Sequence, residues 1–190
     1  KGSRKRDFPQ SISWHASWWP YYHHLANHHA RLSVALSAGN NINKILVVEP
    51  TTTTWMYFTP DQSRSHRGAA GITREYGEEF KNFVEKLEEY KIEYDLASEM
   101  VMQDFSSIID SKWHVGQRPY DKVILGPHVE NLNQKTYELA KEYLETGQDI
   151  YFYETLPEYI DGTPSGDLTR LIEQYEDQWI RIDDRYPDWI

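Results

Sequence analysis

Apolar runs that alternate with helical segments constrain the fold of this chain more than any other feature. The runs within residues 44–50 and 120–127 are short and continuous, which is typical of strands buried on both faces of a parallel sheet. Amphipathic segments long enough for helices separate such runs. Parallel strands joined by helices form right-handed crossovers, so the pattern predicts an α/β fold, a three-layer flavodoxin-like parallel sheet with helices on both faces.

The same patterns place the individual elements. Strands are predicted at 44–50, 92–97, 120–127 and 149–154, with an edge strand at 179–182 and a small hairpin of 107–110 and 113–116. Helices are predicted at 18–38, 73–91, from Asn131 or Asn133 to 146, and at 167–176, with a helical turn at 99–105. A long loop is predicted at 51–70.

The first predicted helix has one apolar stripe, and this stripe is expected to be buried. Its members recur at spacings of four and three: Trp18, Tyr22, Leu25, His29, Leu32 and Leu36. Gly39 ends the helix. Burial of Trp18 is therefore expected, and His29 is interpreted as a hydrogen-bonded core histidine.

The chain is divided into three parts by these patterns. Residues 1–17 are interpreted as a connector from a missing upstream domain, 18–160 as the flavodoxin-like domain, and 161–190 as a C-terminal helix and tail. The basic, turn-rich start without an initiator Met leads us to expect a piece of a larger protein.

Composition excludes several classes of function. A net charge of −10 argues against nucleic acid as a partner, because a phosphate backbone requires a basic face. The absence of cysteine excludes disulfides, a thiol nucleophile and thiolate metal sites. No apolar run approaches the roughly 18 residues that span a bilayer, so no membrane partner is expected.

The loops that follow the strands favour neither a cofactor nor a nucleophile. Residues 51–54 are all Thr, as in some phosphate loops, but no glycine occurs there before Gly68 to let amides close on a phosphate. After the strand at 120–127, neither Cys nor a Gly-x-Ser-x-Gly motif is present, and His128 and Glu130 are interpreted as polar loop residues. No catalytic residue and no cofactor are therefore predicted.

A pair of histidines at helical spacing is not interpreted as a metal site. His24 and His28 are four residues apart, as in helical zinc motifs, but the intervening residues contain no Glu and no third ligand is evident. The paired carboxylates elsewhere are interpreted as solvated helix faces. They are not interpreted as the general acid and the second catalytic carboxylate of a glycosidase.

The segment 13–22 is the most unusual stretch, with five aromatic residues and a histidine. Two interpretations remain open. Its aromatic side chains either fasten the connector onto this domain or a missing neighbour, or they form a sugar subsite shared with that neighbour. The candidate binding residues are Trp14, His15, Trp18 and Trp19.

This segment also carries a resemblance to a known family. Residues 4–9, Ser13 to His15, Trp18 to Tyr22, and 30–33 with Gly39 resemble the stretch that follows the catalytic barrel in large bacterial glycoside hydrolases of the α-L-rhamnosidase-like and β-galactosidase-like kind. Residues 45–51 and 120–127 resemble strands of the class I glutamine amidotransferase-like domain that comes next there. The resemblance covers residues 1–157; the tail is unassigned, and Ala16 and Ser17 depart from the family pattern.

The resemblance implies a function for the chain. It implies a non-catalytic accessory domain of a carbohydrate-degrading enzyme, which packs on the catalytic barrel of the same polypeptide and contributes to the rim of its active site. The parent would be a bacterial glycoside hydrolase, periplasmic or secreted, whose catalytic carboxylates lie in the barrel. The alternative is a stand-alone flavodoxin-like domain that binds a flavin or another phosphate-bearing small ligand.

Overall fold

The computed structural model describes residues 14–58 and 69–182, and its contacts divide the chain into two units, Lys1–Ile42 and Asn43–Ile190. The first unit contains a 3₁₀ turn, Trp19–Tyr21, and helix α1, Tyr22–Leu36. This confirms the predicted first helix. No helix in the described part of the chain is both long and apolar enough to cross a membrane.

The apolar stripe of α1 is not buried, which corrects the prediction. No residue of α1 is buried; Trp18, Leu25, Leu32 and Leu36 are all exposed, and His29 is too. His29 is therefore not a core histidine. A lone helix cannot bury its own stripe, so periodicity identifies the apolar face without showing that anything covers it.

The second unit is built on a five-stranded parallel sheet. Its strands are β1 (Ile45–Val48), β2 (Asp95–Ala97), β6 (Lys122–Leu125), β8 (Ile150–Tyr153) and β11 (Trp179–Ile182). They lie in the order β2-β1-β6-β8-β11, and every neighbouring pair is parallel. Numbered among themselves, the strands follow the flavodoxin order 2-1-3-4-5. The predicted fold class is confirmed, and β11 is the predicted edge strand at 179–182.

Helices cover both faces of this sheet. The helices are α2 (Thr51–Tyr57), α3 (Ala69–Glu89), α4 (Glu99–Phe105), α5 (Gln134–Glu145) and α6 (Gly166–Gln174). Leu46 and Val48 share a core with α4, α5 and α6, whereas Ile45 and Val47 pack with Phe83 of α3 on the other side. Alternate residues of β1 thus face opposite layers, which explains why its sequence is continuously apolar.

Two small sheets flank the central one. The strands β3 (Ser106–Ile109), β4 (Lys112–Val115) and β5 (Arg118–Tyr120) form an antiparallel meander that contains the predicted hairpin. The strands β7 (Asn131–Leu132), β9 (Tyr159–Ile160) and β10 (Thr163–Pro164) form the second sheet, which sequence patterns do not predict. The predicted strand at 120–127 is divided between β5 and β6.

The predicted loop at 51–70 is wrong for its first part, because Thr51–Tyr57 forms α2. The predicted loop's residues 59–68 lie outside the described residues. Threonine is a poor helix former, but two of the four threonines are buried and bonded to distant elements. These tertiary bonds outweigh local propensity.

Candidate functional site

The candidate site lies at the carboxyl ends of β1 and β6, where the strand order of the sheet reverses. Ligands of open α/β sheets bind at such a switch point. Gly126, directly after β6, donates its N–H to the Val48 carbonyl across this point. The side chains that surround it come from α2, from α3, and from the segments after β6 and β8.

Two threonines of α2, Thr52 and Thr53, bond to other elements of the domain and hold the site together. The Thr53 hydroxyl oxygen accepts hydrogen bonds from the backbone N–H groups of Glu130 and Asn131, each at 3.0 Å. The Thr52 hydroxyl donates to the buried carboxylate of Glu99. Thr52 therefore links α2 to α4.

Glu99 is a buried carboxylate with a structural role. It accepts from the Thr52 hydroxyl and, at 2.7 Å, from the backbone N–H of Asn133, the residue that precedes α5. Burial raises the pKa of Glu99, and these hydrogen bonds offset part of the rise. The carboxylate ties α2, α4 and α5 to one another beneath the site.

Thr53 offers a test of this support. Thr53→Val should lower the free energy of unfolding by about 2 kcal/mol, because the buried N–H of Asn131 loses its acceptor in a side chain of nearly the same shape. The N–H of Glu130 retains the His128 carbonyl. Urea denaturation would measure the change. Thr53→Ser keeps the oxygen and should cost clearly less; equal losses for both variants would contradict the hydrogen-bond account.

Two tyrosine hydroxyls hold the carboxylate of Glu130 in place. The Tyr57 and Tyr76 hydroxyls each donate to a different oxygen of this carboxylate, at 2.6 Å. The hydrogen bond to Glu130, with burial, raises the pKa of Tyr57 to about 12. Burial, with the hydrogen bond to Glu130, raises the pKa of Tyr76 beyond its usual range. Both tyrosines therefore stay protonated, and Glu130 is positioned as an acceptor rather than as a proton donor.

A histidine and two carboxylates form a second group close to Tyr76. His128 Nε2 is 2.5 Å from the Glu79 carboxylate of α3, and the Tyr76 ring stacks on the His128 ring with centroids 3.8 Å apart. Glu154, the residue after β8, brings its carboxylate to the same place. His128 and Glu154 both have positive φ, 59° and 68°, an unusual conformation for residues other than glycine.

A cavity of about 330 Å³ lies at the end of β1, between residues of α2 and α3. Glu49, Thr51, Trp55 and Phe80 are among its lining residues, and the Trp55 side chain is 56% exposed. The Thr51 hydroxyl donates to Glu49. With Glu49, Glu79, Glu130 and Glu154 on this edge, the site is acidic and suits cations or neutral ligands better than anions.

The sequence-predicted binding residues lie in the first unit. Trp14 stacks on His15, and Trp19 stacks on Tyr22 with centroids 5.4 Å apart. The side chains of Trp14, Trp18 and Trp19 are 71%, 38% and 39% exposed. The prediction that Trp18 is buried is therefore wrong. Trp18 is exposed, as Trp14 and Trp19 are.

The histidines of α1 are exposed. His23 Nδ1 lies 2.9 Å from the Pro20 carbonyl oxygen. Among the described residues, no third His, Asp or Glu donor joins His24 and His28 in a compact group. Sequence reasoning instead missed Glu79 and Glu154, and it treated His128 as an ordinary loop residue.

Comparisons with protein-family models, with curated proteins and with solved structures give no match to this chain.

Proposed function

We propose that this chain is a non-catalytic accessory domain of a carbohydrate-degrading glycoside hydrolase, which packs on the catalytic barrel of the parent enzyme. The observation that carries the proposal is the exposed aromatic segment. Trp14, Trp18, Trp19 and Tyr21 all expose more than a third of their surface within ten residues. Exposed apolar patches of this kind mark interaction surfaces.

The chemistry of the segment fits a sugar-cleaving partner. Indole rings pack against the C–H faces of pyranose rings and also serve as large interface anchors. The order of motifs along residues 1–157 resembles the region after the barrel in rhamnosidase-like and galactosidase-like enzymes.

The alternative, a flavin- or phosphate-binding domain, is disfavoured by the end of β1. No glycine stands between Glu49 and Tyr57, and the Thr52 and Thr53 hydroxyls are already bonded within the domain. The Glu49 carboxylate beside the start of α2 repels an anion. Titration of flavin fluorescence with micromolar protein should show no saturable quenching; a yellow purified protein would favour the alternative.

An activity assay tests the non-catalytic part of the proposal. The purified 190-residue chain should release aryl alcohol from aryl rhamnosides and galactosides no faster than buffer, because the resemblance places the catalytic carboxylates in the barrel. Glu79→Gln and Glu154→Gln serve as controls, since these two carboxylates lie close together. Turnover that either substitution abolishes would contradict the proposal and would locate an active site in this domain.

A further inference from the structure

Three metal-binding side chains converge at the carboxyl edge of the sheet. Glu79 extends from α3, His128 follows β6 and Glu154 follows β8. One donor atom from each lies within 4.8 Å of the other two. From this convergence we propose that Glu79, His128 and Glu154 form a binding site for a divalent transition-metal ion, with Zn²⁺ as the ion that fits best.

The distances suit a metal after small side-chain movements. Zinc binds imidazole nitrogen and carboxylate oxygen at about 2.0–2.2 Å, so neighbouring donors of a tetrahedral site lie roughly 3.3 Å apart. The nearest pair, His128 Nε2 and the Glu79 oxygen, lies at 2.5 Å and must open slightly. The longer separations must close, which rotation of the exposed Glu154 side chain allows.

The charge of the site also calls for a cation. In the part of the chain that the structure describes, no lysine or arginine pairs with Glu79 or Glu154. Glu130 lies close by and is held by two neutral hydroxyls rather than by a positive group. A divalent ion would compensate this local negative charge.

The surroundings of His128 fix its ring for such a role. The Tyr76 ring stacks on the imidazole at an interplanar angle of 3°, while its hydroxyl is held by Glu130. The imidazole is therefore held in one plane by a ring that is itself anchored, which favours a fixed orientation of its ring nitrogens. This arrangement distinguishes His128 from His24 and His28 on the exposed helix α1.

The donor types define the class of ion. One imidazole with two carboxylates suits Zn²⁺, Mn²⁺ or Fe²⁺, whereas Mg²⁺ and Ca²⁺ prefer oxygen ligands alone and Cu⁺ prefers sulfur. Three protein donors leave a fourth position for water or a ligand hydroxyl. The site is independent of the proposed function, since an accessory domain needs no metal to pack on a barrel.

Calorimetric titration of the tag-free 190-residue chain with zinc sulfate tests the proposal. We expect one Zn²⁺ per chain, and weaker binding by about tenfold or more in Glu154→Gln and in His128→Asn. Asparagine is chosen at 128 because it tolerates positive φ better than alanine. Excess Mg²⁺ should not displace the zinc. Zinc should also raise the Tm of the wild type clearly more than that of Glu154→Gln at the same zinc concentration, and the exposed side chain of Glu154 is not needed for folding.

Two variants serve as matched controls for zinc binding at histidines outside the proposed site. His114→Asn, on β4, and the double variant His24→Asn with His28→Asn should both retain the wild-type affinity and stoichiometry. Absence of saturable binding to the wild type would overturn the proposal. Equal affinity in His128→Asn, or loss of binding in the α1 double variant alone, would overturn it as well.

Discussion

Trp113→Ala should lower the free energy of unfolding of the isolated chain by about 3–5 kcal/mol, the cost of removing a fully buried indole. Trp113 is 1% exposed and packs edge-on against Tyr143 of α5, which joins the meander of β3, β4 and β5 to the main core. Its indole N–H has no hydrogen-bond partner among the described residues, so the expected loss is one of packing. Thermal and urea denaturation would measure it.

The tryptophans of the first unit should behave differently. Trp14→Ala should change the stability of the isolated chain by under about 0.5 kcal/mol, as at other exposed positions. Trp18→Ala and Trp19→Ala should each cost about 1 kcal/mol, because each loses a ring contact with Tyr22. If Trp14 and Trp19 prove as costly as Trp113, the segment belongs to the chain's own core and the proposed interface fails.

In the parent enzyme the same substitutions should be costly, because the proposed barrel contact covers these rings. Trp14→Ala and Trp19→Ala should weaken domain packing or hydrolysis of the sugar substrate there. Phe105→Ala is a matched control, since Phe105 is 62% exposed and lies outside the segment. An effect of Phe105→Ala as large as that of Trp14→Ala would argue against a specific aromatic interface.

Gly126→Ala should destabilise the chain by about 3 kcal/mol, the upper part of the range for overpacking a core. A Cβ at this position would lie 2.9 Å from Phe80 Cε2 and 3.0 Å from the Val48 carbonyl oxygen. The carbonyl belongs to the interior strand β1, which pairs with β2 and β6, and cannot move without disturbing the sheet. The switch point therefore requires glycine for close packing rather than for an unusual φ.

Gly77→Ala is the matched control for this substitution. Gly77 lies within α3, and a Cβ there would contact nothing within 4 Å. Alanine should therefore stabilise the chain by about 0.5–1 kcal/mol, because glycine in a helix interior costs conformational entropy. A destabilising Gly77→Ala, or a neutral Gly126→Ala, measured by urea denaturation, would contradict the packing of α3 on the sheet.

The central sheet could be predicted because its signal is local. A strand buried on both faces must be apolar at every position, as residues 45–48 and 123–125 are, and the helices between such strands dictate parallel pairing. The edge strand at 179–182 was also found by its apolar pattern. The register and order of the strands follow from the crossovers rather than from any one segment.

Two features could not be predicted, since they depend on contacts distant in sequence. Four consecutive threonines favour a loop locally, and α2 forms there because Thr52 and Thr53 bond to residues 47 to 78 positions away. The apolar stripe of α1 is exposed although burial was predicted, because periodicity carries no information about whether a partner covers an apolar face.

The candidate site was missed for a similar reason. Glu79, His128 and Glu154 have no motif spacing, and only the parallel sheet brings the ends of β6 and β8 together beside α3. A sequence-level signal did exist for part of it: polar residues directly after two neighbouring parallel strands meet at one edge. Applied to His128 and Glu154 together, that rule would have indicated the pair, though not Glu79.

The proposed service of this domain to a glycoside hydrolase is tested by the complete reading frame of its gene. Sequencing through the codons for residues 1–190 should show a (β/α)₈ barrel encoded in the same polypeptide, immediately before the aromatic segment. Two carboxylates at the strand ends of that barrel should be required for hydrolysis. A complete polypeptide that contains this chain and no barrel would contradict the account.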